Sequence, residues 1–457
     1  MKEKWLRICD RFGVSARMKN IAQISAGTMF GQCISIVTLP VLTRLYGASV
    51  IGQWSLIASY ATIINAFSDL GLSNAVMVEK NENRVHEVYR VTSTITLMLD
   101  FAAGMVILIY CFIGRHPESL NPVEFTVLVI VYAFMIQQMQ ICYSWLNRIG
   151  RYDVLMKNPV INNVAAGIMS VLLWFCGCKT YGYCAGLLMG QFVTYFHMRR
   201  YLPKRCFTHS KESFRYTLGE HKDFVVFQMP TNIISCVKGQ LPTILIGSFF
   251  GEEILGYYSI SLRIMNIPIN LLANSIGKVF FKTSTDMVRK GENIGEFTLV
   301  NLQKAIRICM IPLIGLLGFG DIIIEIVFGI DYKIAGTILR IVTIQNFFYF
   351  LMNASQGLSM TLKKQKYAMI SGIMQSICYI LSMGVGYYIF DDYYVGIAMM
   401  SFSFVIIQIV YFCCMFQVMQ IDFHRYLKSV SKSLLIIGIC TLIIRVALLL
   451  LKVREGI

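Results

Sequence analysis

The sequence predicts an all-α integral membrane protein, built from two parallel six-helix lobes and a thirteenth helix near the C-terminus. Three observations support this fold class: an apolar composition, a series of apolar runs as long as a bilayer is thick, and an internal repeat. Of the 457 residues, 56% are hydrophobic and 14% are charged, whereas about a quarter of an average soluble domain is charged. Together with a mean hydropathy of +0.62, this indicates a chain whose surface faces lipid.

Thirteen apolar runs follow one another, and each is long enough for the ~20 residues with which a helix crosses a bilayer. They lie at 20–41, 50–72, 91–114, 124–146, 159–178, 181–198, 224–250, 254–281, 298–319, 334–358, 367–390, 394–418 and 433–451. The last run contains Arg445, so it either crosses the membrane or lies at its surface. The predicted organisation is a basic N-terminus (1–19), a first lobe (20–198), a polar linker (199–223), a second lobe (224–418) and a C-terminal segment (419–457).

The loops between the runs alternate in charge. Of the 41 Lys and Arg residues, 28 lie in the set of connections that includes the N-terminus, and six lie in the other set. Because cytoplasmic loops are enriched in Lys and Arg, the N-terminus is predicted to be cytoplasmic. This topology also explains the net charge of +16, so no nucleic-acid partner is expected. The 14 cysteines lack zinc-site spacing and His partners, and neither disulfides nor a metal site are predicted.

Two sequence patterns recur in the two halves of the chain. Residues 47–56 and 251–260 each follow a Leu-Pro pair and contain two glycines five residues apart, then an aromatic residue and a serine. A basic turn ending in tyrosine at 148–152 returns at 363–367. Both offsets correspond to six helices with orientation kept. This predicts parallel lobes related by an axis along the membrane normal, as in transporters whose substrate binds between rocking lobes.

Charged and amide side chains inside the apolar runs are candidates for substrate binding, because a charge in hydrocarbon is energetically costly unless it has a counter-charge or is hydrated. One polar stripe at helical spacing runs through 254–281; its members are Arg263, Asn266, Asn270, Asn274 and Lys278. Lys238 lies fourteen residues into the preceding run, and Arg44 ends the first one. We predict a cationic substrate site from these residues. The alternatives are snorkelling for Lys278, surface anchoring for Arg44 and helix contacts for the asparagines.

Two acidic residues lie within or beside apolar runs. Asp69 follows the inner part of the second run, and Asp100 lies within the third. Each either takes up a coupling proton or ion, or pairs with a cation of the same lobe. Because cations outnumber acids, the site is predicted to attract an anion such as a phosphate or diphosphate, while the amides suit hydroxyl groups. The Asp391-Asp392 pair has no nearby His, and no catalytic site is predicted.

Several landmarks resemble the Wzx-type polysaccharide flippases of the multidrug/oligosaccharidyl-lipid/polysaccharide exporter superfamily. They are Leu39–Gly47 with Gly52, the Asp69-Leu-Gly-Leu turn, Gly256–Arg263 continuing through Pro268 to Phe281, and Phe328–Ala335. The resemblance covers about 20–420. It implies a MATE-like fold and a bacterial inner-membrane protein that moves undecaprenyl-diphosphate-linked oligosaccharide from the cytoplasmic to the periplasmic leaflet.

The resemblance further implies ion-coupled alternating access, with Na⁺ or H⁺ as the coupling ion and no other cofactor, for O-antigen, capsule or exopolysaccharide assembly. The implied partners are membrane lipid, a polysaccharide polymerase and chain-length machinery. Arg44 and Arg263 fall within family-like segments, whereas Lys238 matches by position alone.

Three other functions agree less well with the sequence. A cation-coupled drug antiporter of the same fold should have an acidic cavity, which disagrees with the surplus of cations. A polysaccharide polymerase or ligase needs a substantial outer loop, whereas the outer connections are short and the longest loop is predicted to be cytoplasmic. A scaffold that only recruits partners would leave the polar stripe in 254–281 unexplained.

Overall fold

A computed structural model describes residues 16–113, 120–179, 181–208 and 210–455. Most of the predicted cytoplasmic N-terminus, residues 1–15, lies outside the described residues. Within those ranges, helices and the turns between them make up the whole structure. The chain divides into two compact units, one up to Gln240 and one from Leu241.

The described part of the first unit holds five long helices and two short ones, and the second short helix lies in the predicted linker. Its helices are α1 (Ala16–Ser68), α2 (Ala75–Val78), α3 (Glu82–Phe112), α4 (Pro122–Arg148), α5 (Tyr152–Phe175), α6 (Gly182–Arg199) and α7 (Lys211–Glu220). The first two predicted spans are joined end to end in α1, with a sharp turn at Gly47. The predicted linker, 199–223, contains α7 and belongs to this unit.

The chain enters the second unit through α8 (Met229–Pro268), which follows a π-helical turn at Phe224–Gln228 and carries a sharp turn at Gly251. The elements that follow are a second π-helical turn (Ile269–Ala273), α9 (Asn274–Arg289), α10 (Gly295–Phe328), a 3₁₀ turn (Ile330–Tyr332), α11 (Lys333–Ala354), α12 (Leu358–Thr361), α13 (Gln365–Tyr388), α14 (Tyr393–Val418) and α15 (Phe423–Glu455).

Ten helical stretches of the described chain are long and apolar enough to cross a membrane. Two of them, Ala26–Ser68 with 43 residues and Phe224–Arg289 with 66, exceed the ~20 residues of one crossing twofold or more. Each of these two contains one of the sharp glycine turns, at Gly47 and Gly251. The prediction of an all-α, multi-pass membrane protein is confirmed.

The predicted internal repeat is visible in the backbone. Gly47 has φ 80° and ψ 172°, and Gly251 has φ 83° and ψ 175°. This conformation is essentially restricted to glycine, so the two glycines, 204 positions apart, make the same turn between two membrane helices. The second echo falls at a turn in each unit, although the left-handed residues, Gly150 (φ 71°) and Lys363 (φ 55°), lie at different positions of the pattern.

The thirteenth predicted span, 433–451, lies in α15, which packs along α10. The Arg445 guanidinium donates to both carboxylate oxygens of Asp321, with Nη1–Oδ2 at 2.8 Å and Nη2–Oδ1 at 2.6 Å. Near the start of α15, Arg425 pairs with Glu296 at the start of α10. The stretch Phe423–Leu450 is long and apolar enough to cross a membrane. The arginine that interrupts the last apolar run is therefore accounted for by an acidic partner on α10.

The predicted linker is held against the first unit by a buried acidic residue. Glu79, between α2 and α3, accepts hydrogen bonds from the Asn81 N–H at 2.8 Å and the Tyr216 hydroxyl at 3.2 Å. His221 Nε2 lies 3.0 Å from the same carboxylate. Nearer the start of the linker, the Thr208 N–H donates to Thr94 Oγ1 at 3.1 Å. The linker is thus a packed part of this unit.

Candidate functional site

The polar stripe of 254–281 is interrupted by a widened helical turn. Pro268 has no N–H and cannot donate to the carbonyl four residues before it. In the turn Ile269–Ala273 that follows, the Asn274 N–H donates to the Ile269 carbonyl, five residues back. Such π-helical turns are rare and are frequently found at functional sites. Here the widened turn lies in the middle of the predicted substrate-binding residues.

Arg263 lies one turn before Pro268 and is half-buried. The hydroxyl of Ser261 donates to the Ala335 carbonyl at 2.7 Å and fixes this part of α8 against α11. At 100° per residue, Arg263 projects about 200° around the helix from Ser261. Among the described residues of the second unit, Arg263 has neither an ion pair nor a hydrogen bond. Its charge is therefore available to a ligand.

The asparagines that follow Arg263 are only loosely bonded. Asn270 is exposed, and the Asn274 amide donates to its side chain at 3.3 Å. Asn266 is half-buried and has no hydrogen bond within its described unit. Lys278 is exposed at the next position of the stripe, just after Gly277, which packs so closely against the Asn353 carbonyl that a Cβ atom would clash. The segment thus presents amide groups between two cations.

Lys238 belongs to the first unit and is half-buried in α8. Its neighbours Cys236 and Gln240 face α1, where Cys236 Sγ donates to the Thr62 carbonyl at 3.5 Å and Ser59 Oγ donates to Gln240 at 3.0 Å. Lys238 lies about 200° around the helix from both, on the face turned away from α1. No described residue of its own unit pairs with or hydrogen-bonds to its ammonium group.

Arg44 is exposed near the end of the first span of α1, three residues before the turn at Gly47. The neighbouring Thr43 hydroxyl donates to the Pro40 carbonyl at 2.9 Å, which satisfies one backbone group near the proline. The exposure of Arg44 is compatible with both the substrate-binding role and the surface-anchoring role.

The two predicted ion-coupling acids have different surroundings. Asp69 follows α1, and its two carboxylate oxygens accept the N–H groups of Gly71 at 2.8 Å and Ser73 at 3.1 Å. Asp100, in α3, is fully buried, and neither of its oxygens has a hydrogen-bond partner among the described residues. The structure brings the two acids close to one another, with the Ser68 hydroxyl also beside Asp100.

Some polar residues of the apolar runs serve the fold. Arg148, at the end of α4, donates to the Glu79 carbonyl at 2.6 Å and to the Glu82 carboxylate at 2.8 Å, and so secures the connection between α2 and α3. Sequence reasoning missed the Asp321–Arg445 pair, whose members lie 124 positions apart. It also missed the π-helical turn, although Pro268 in the middle of the stripe was a signal of local distortion.

A family model described as "Polysaccharide biosynthesis protein" matches residues 41–335. The chain belongs to this family. The matched region contains all the predicted substrate-binding and ion-coupling residues. The polysaccharide biosynthesis family thus covers both glycine turns, the π-helical turn of the second unit and the buried acid of the first.

Two curated relatives align with part of this chain. The teichuronic acid biosynthesis protein TuaB of Bacillus subtilis (strain 168) is 29% identical over 151 residues, which cover 31% of this chain and 30% of the relative. The succinoglycan biosynthesis transport protein ExoT of Rhizobium meliloti (strain 1021) is 21% identical over 325 residues, covering 68% of this chain and 62% of the relative. The aligned parts span less than two thirds of either relative.

Solved structures identify the fold of this family member. The lipid II flippase MurJ in an inward closed conformation has a TM-score of 0.72 at 16% identity, covering 94% of this chain and 99% of that one. An inward-facing MATE multidrug resistance transporter has a TM-score of 0.58 at 16% identity, with coverages of 88% and 98%. The MATE-like fold is confirmed. Both of these solved proteins are named for transport, one as a flippase and the other as a multidrug resistance transporter.

Proposed function

We propose that this chain moves an oligosaccharide linked to undecaprenyl diphosphate from the cytoplasmic to the periplasmic leaflet of the bacterial inner membrane. The proposal is supported by membership of the polysaccharide biosynthesis family and by a fold shared with lipid and drug transporters. The relative TuaB is named for teichuronic acid biosynthesis, and ExoT is named for succinoglycan biosynthesis and transport. The pathway served is O-antigen, capsule or exopolysaccharide assembly.

The proposal rests on two half-buried cations in membrane-spanning helices. Lys238 and Arg263 are half-buried, and neither has an acidic partner within its own described unit. A cation in hydrocarbon is stable only with a counter-charge or in a wet environment. A diphosphate supplies that counter-charge. Arg263 can bind phosphate oxygens through two parallel N–H groups, and Lys238 acts as a point charge.

The amides next to Arg263 suit the sugar part of the same ligand. An asparagine side chain both donates and accepts hydrogen bonds, as a sugar hydroxyl does. Among the described residues of their unit, the side chains of Asn270 and Asn274 are hydrogen-bonded only to one another, at a long 3.3 Å, so both can exchange this contact for a hydroxyl group. In the proposed complex, Arg263 holds the phosphate and the asparagines along the π-helical turn hold the sugar. Lys278 and Arg44 are proposed as further cations along the path.

The direction of transport follows from the charge of the ligand. A diphosphate that moves outward moves with an inside-negative membrane voltage, which contributes about 2.3 kcal/mol per charge per 100 mV. Entry of a coupling H⁺ or Na⁺ adds to this driving force, and no covalent step is required. At the outer leaflet, the lipid-linked oligosaccharide is the substrate of a polymerase and its chain-length machinery, which we propose as partners.

The test is complementation of a bacterial strain that lacks its polysaccharide flippase. We expect Lys238→Ala and Arg263→Ala to reduce surface polysaccharide at least tenfold, because each removes one of the charges that hold the phosphate groups. Lys238→Arg, which keeps the charge, should restore most of the polysaccharide. Membrane insertion of every variant is checked by immunoblotting of membrane fractions.

The matched control is Lys290→Ala, which removes an exposed cation from the turn after α9. It should leave the amount of surface polysaccharide unchanged. Normal polysaccharide from both Lys238→Ala and Arg263→Ala would contradict the proposed binding site.

A further inference from the structure

The first unit contains a carboxyl group whose surroundings offer it no partner. Asp100 has 0% of its surface exposed, and neither carboxylate oxygen accepts a hydrogen bond from a described residue. Burial of an ionised carboxylate without a hydrogen bond or a counter-charge is strongly unfavourable. A stable structure with this arrangement needs something bound to Asp100: a proton, a metal ion or a cationic side chain.

No cationic side chain of the described part of the first unit plays this role. Three helices, α1, α3 and α4, pack against one another around this region. From α1 and the turn after it come the Ser68 hydroxyl, which is also without a hydrogen bond, and the Asp69 carboxylate. From α4 comes the buried amide of Gln137, which donates to Ser73 in the turn beside Asp69, at 2.9 Å. The charged neighbour of Asp100 is thus another acid, which disfavours a second negative charge.

Asp69 itself has a structural role that explains why it is acidic. Its two oxygens hold the N–H groups of Gly71 and Ser73, and this fixes a turn in which Leu70 (φ 53°) and Gly71 (φ 77°) are both left-handed. An Asp side chain that accepts N–H groups from the following residues is the usual way to stabilise such a turn. Both oxygens of Asp69 therefore accept backbone N–H groups, whereas the neighbour within hydrogen-bonding reach of Asp100 in the described residues is the Ser68 hydroxyl.

We propose that Asp100 is the residue of the first unit that takes up and releases the coupling proton, and that Asp69 only shapes the turn beside it. The proposal rests on the proposed export function. The chemistry is a simple protonation: one oxygen of the carboxylate gains a proton, and the resulting O–H is within reach of the unbonded Ser68 hydroxyl. No other bond forms or breaks.

A metal ion fits the same place less well. Ca²⁺ takes about six to eight oxygen ligands, usually from several carboxylates, and the described residues contain no group of three or more acidic, His or Cys side chains that could hold a metal ion. A proton needs a single acceptor. Its release would leave a negative charge buried beside Asp69 and would favour an arrangement of α1 and α3 that admits water. Protonation can thus shift the protein between conformations.

The first experiment looks for the proton directly, by infrared difference spectroscopy of the purified, detergent-solubilised full-length protein at pH 7. The spectrum of the wild type minus that of Asp100→Asn should contain the C=O stretching band of a neutral carboxylic acid, which shifts in D₂O. The matched difference for Asp69→Asn should contain carboxylate bands only. Asp100→Glu, which keeps a carboxyl group, should retain the neutral-acid band. This variant is the control for loss of the band through misfolding of Asp100→Asn.

Two spectroscopic results would overturn the proposal. A carboxylate band for Asp100 that is the same in sodium and choline buffers would show that no proton is bound. A carboxylate band that changes with sodium would assign the site to a metal ion. Neither result depends on transport activity.

The second experiment measures coupling in proteoliposomes that contain lipid-linked oligosaccharide extracted from the host strain and a trapped pH-sensitive dye. Asp100→Asn should lose substrate-dependent proton movement and its response to an imposed pH gradient. Lys238→Ala and Arg263→Ala should lose transport but keep the infrared band. If Asp100→Asn responds normally to the gradient, the proton proposal fails and the export function stands. If Lys238→Ala and Arg263→Ala transport normally, the proposed binding site fails while the band identifies Asp100 independently.

Discussion

Two aspartates inside membrane-spanning helices, one in each unit, have opposite surroundings. In the second unit, Asp321 of α10 receives two hydrogen bonds from the Arg445 guanidinium, at 2.8 and 2.6 Å. In the first unit, Asp100 of α3 has no hydrogen bond and no cation among the described residues, although it is completely buried. Asp321 thus joins one helix to another, whereas Asp100 makes no such bond within the described residues.

The largest expected effect tests the paired acid. Arg445→Ala leaves the half-buried Asp321 carboxylate without its counter-charge. Loss of one member of a fully buried ion pair typically costs ~3–5 kcal/mol, so a decrease at the lower end of this range is expected for the half-buried pair. We expect this decrease in the free energy of unfolding, measured by denaturant titration in detergent micelles. Asp100 has no ion pair among the described residues, so Asp100→Asn should change the free energy of unfolding by no more than the ~1 kcal/mol of a single neutral hydrogen bond.

A double-mutant cycle provides the control for that prediction. When Arg445→Ala is combined with Asp321→Ala, neither charge is left alone, so the double variant should be more stable than the sum of the two single losses by at least ~1 kcal/mol. Strictly additive losses would mean that the two side chains do not stabilise one another.

The local parts of the fold followed from the sequence. Runs of apolar residues predicted the membrane spans, and a repeated pattern predicted that Gly47 and Gly251 are equivalent. Both predictions were possible because each signal lies within a few neighbouring residues. The turn at Asp69 likewise follows the Asp-Leu-Gly signature of local hydrogen bonding. Such features need no knowledge of what packs against them.

The pairing of charges could not be predicted in the same way. Asp321 and Arg445 meet because α15 packs on α10, and no local pattern links positions so far apart in the chain. By sequence, Asp69 and Asp100 were equivalent as acids near membrane spans, yet both oxygens of Asp69 accept backbone N–H groups, whereas Asp100 has no backbone donor among the described residues. The candidate site was therefore predictable as a set of residue types, whereas the roles of its acids required their neighbours.

The comparison between units depends on their being repeats, and the two glycine turns test this. Gly47→Ala and Gly251→Ala each force a side chain into a backbone conformation that costs of order 1–3 kcal/mol, although space is open around both positions. We expect similar losses of unfolding free energy for the two variants. Gly315→Ala, in the middle of α10 with open space beside it, should be neutral or stabilising by up to ~1 kcal/mol. A loss at only one turn would contradict their equivalence.

The smallest expected effect concerns a third buried acid, Glu79, which lies outside the membrane spans and has the donors that Asp100 lacks. Burial raises the pKa of the Glu79 carboxyl, but the hydrogen bonds from the Asn81 N–H, His221 and Tyr216 more than offset it, and the pKa lies below its ordinary value. The stability that the ionised group contributes is therefore present above the unfolded-state pKa of about 4.3. It is lost as the pH falls through the lower folded-state value.

Glu79→Gln tests this linkage, because glutamine keeps the shape of the side chain and cannot ionise. At pH 7 the wild type should be more stable by on the order of 1 kcal/mol, since hydrogen bonds to a charged acceptor are the stronger ones. Thermal unfolding of the solubilised proteins between pH 7 and about pH 3 should show this difference shrinking as the carboxylate becomes protonated. A difference that stays constant over that range would mean that the linker is held by shape and neutral hydrogen bonds, and that Glu79, like Asp100, gains nothing from a charge in the folded protein.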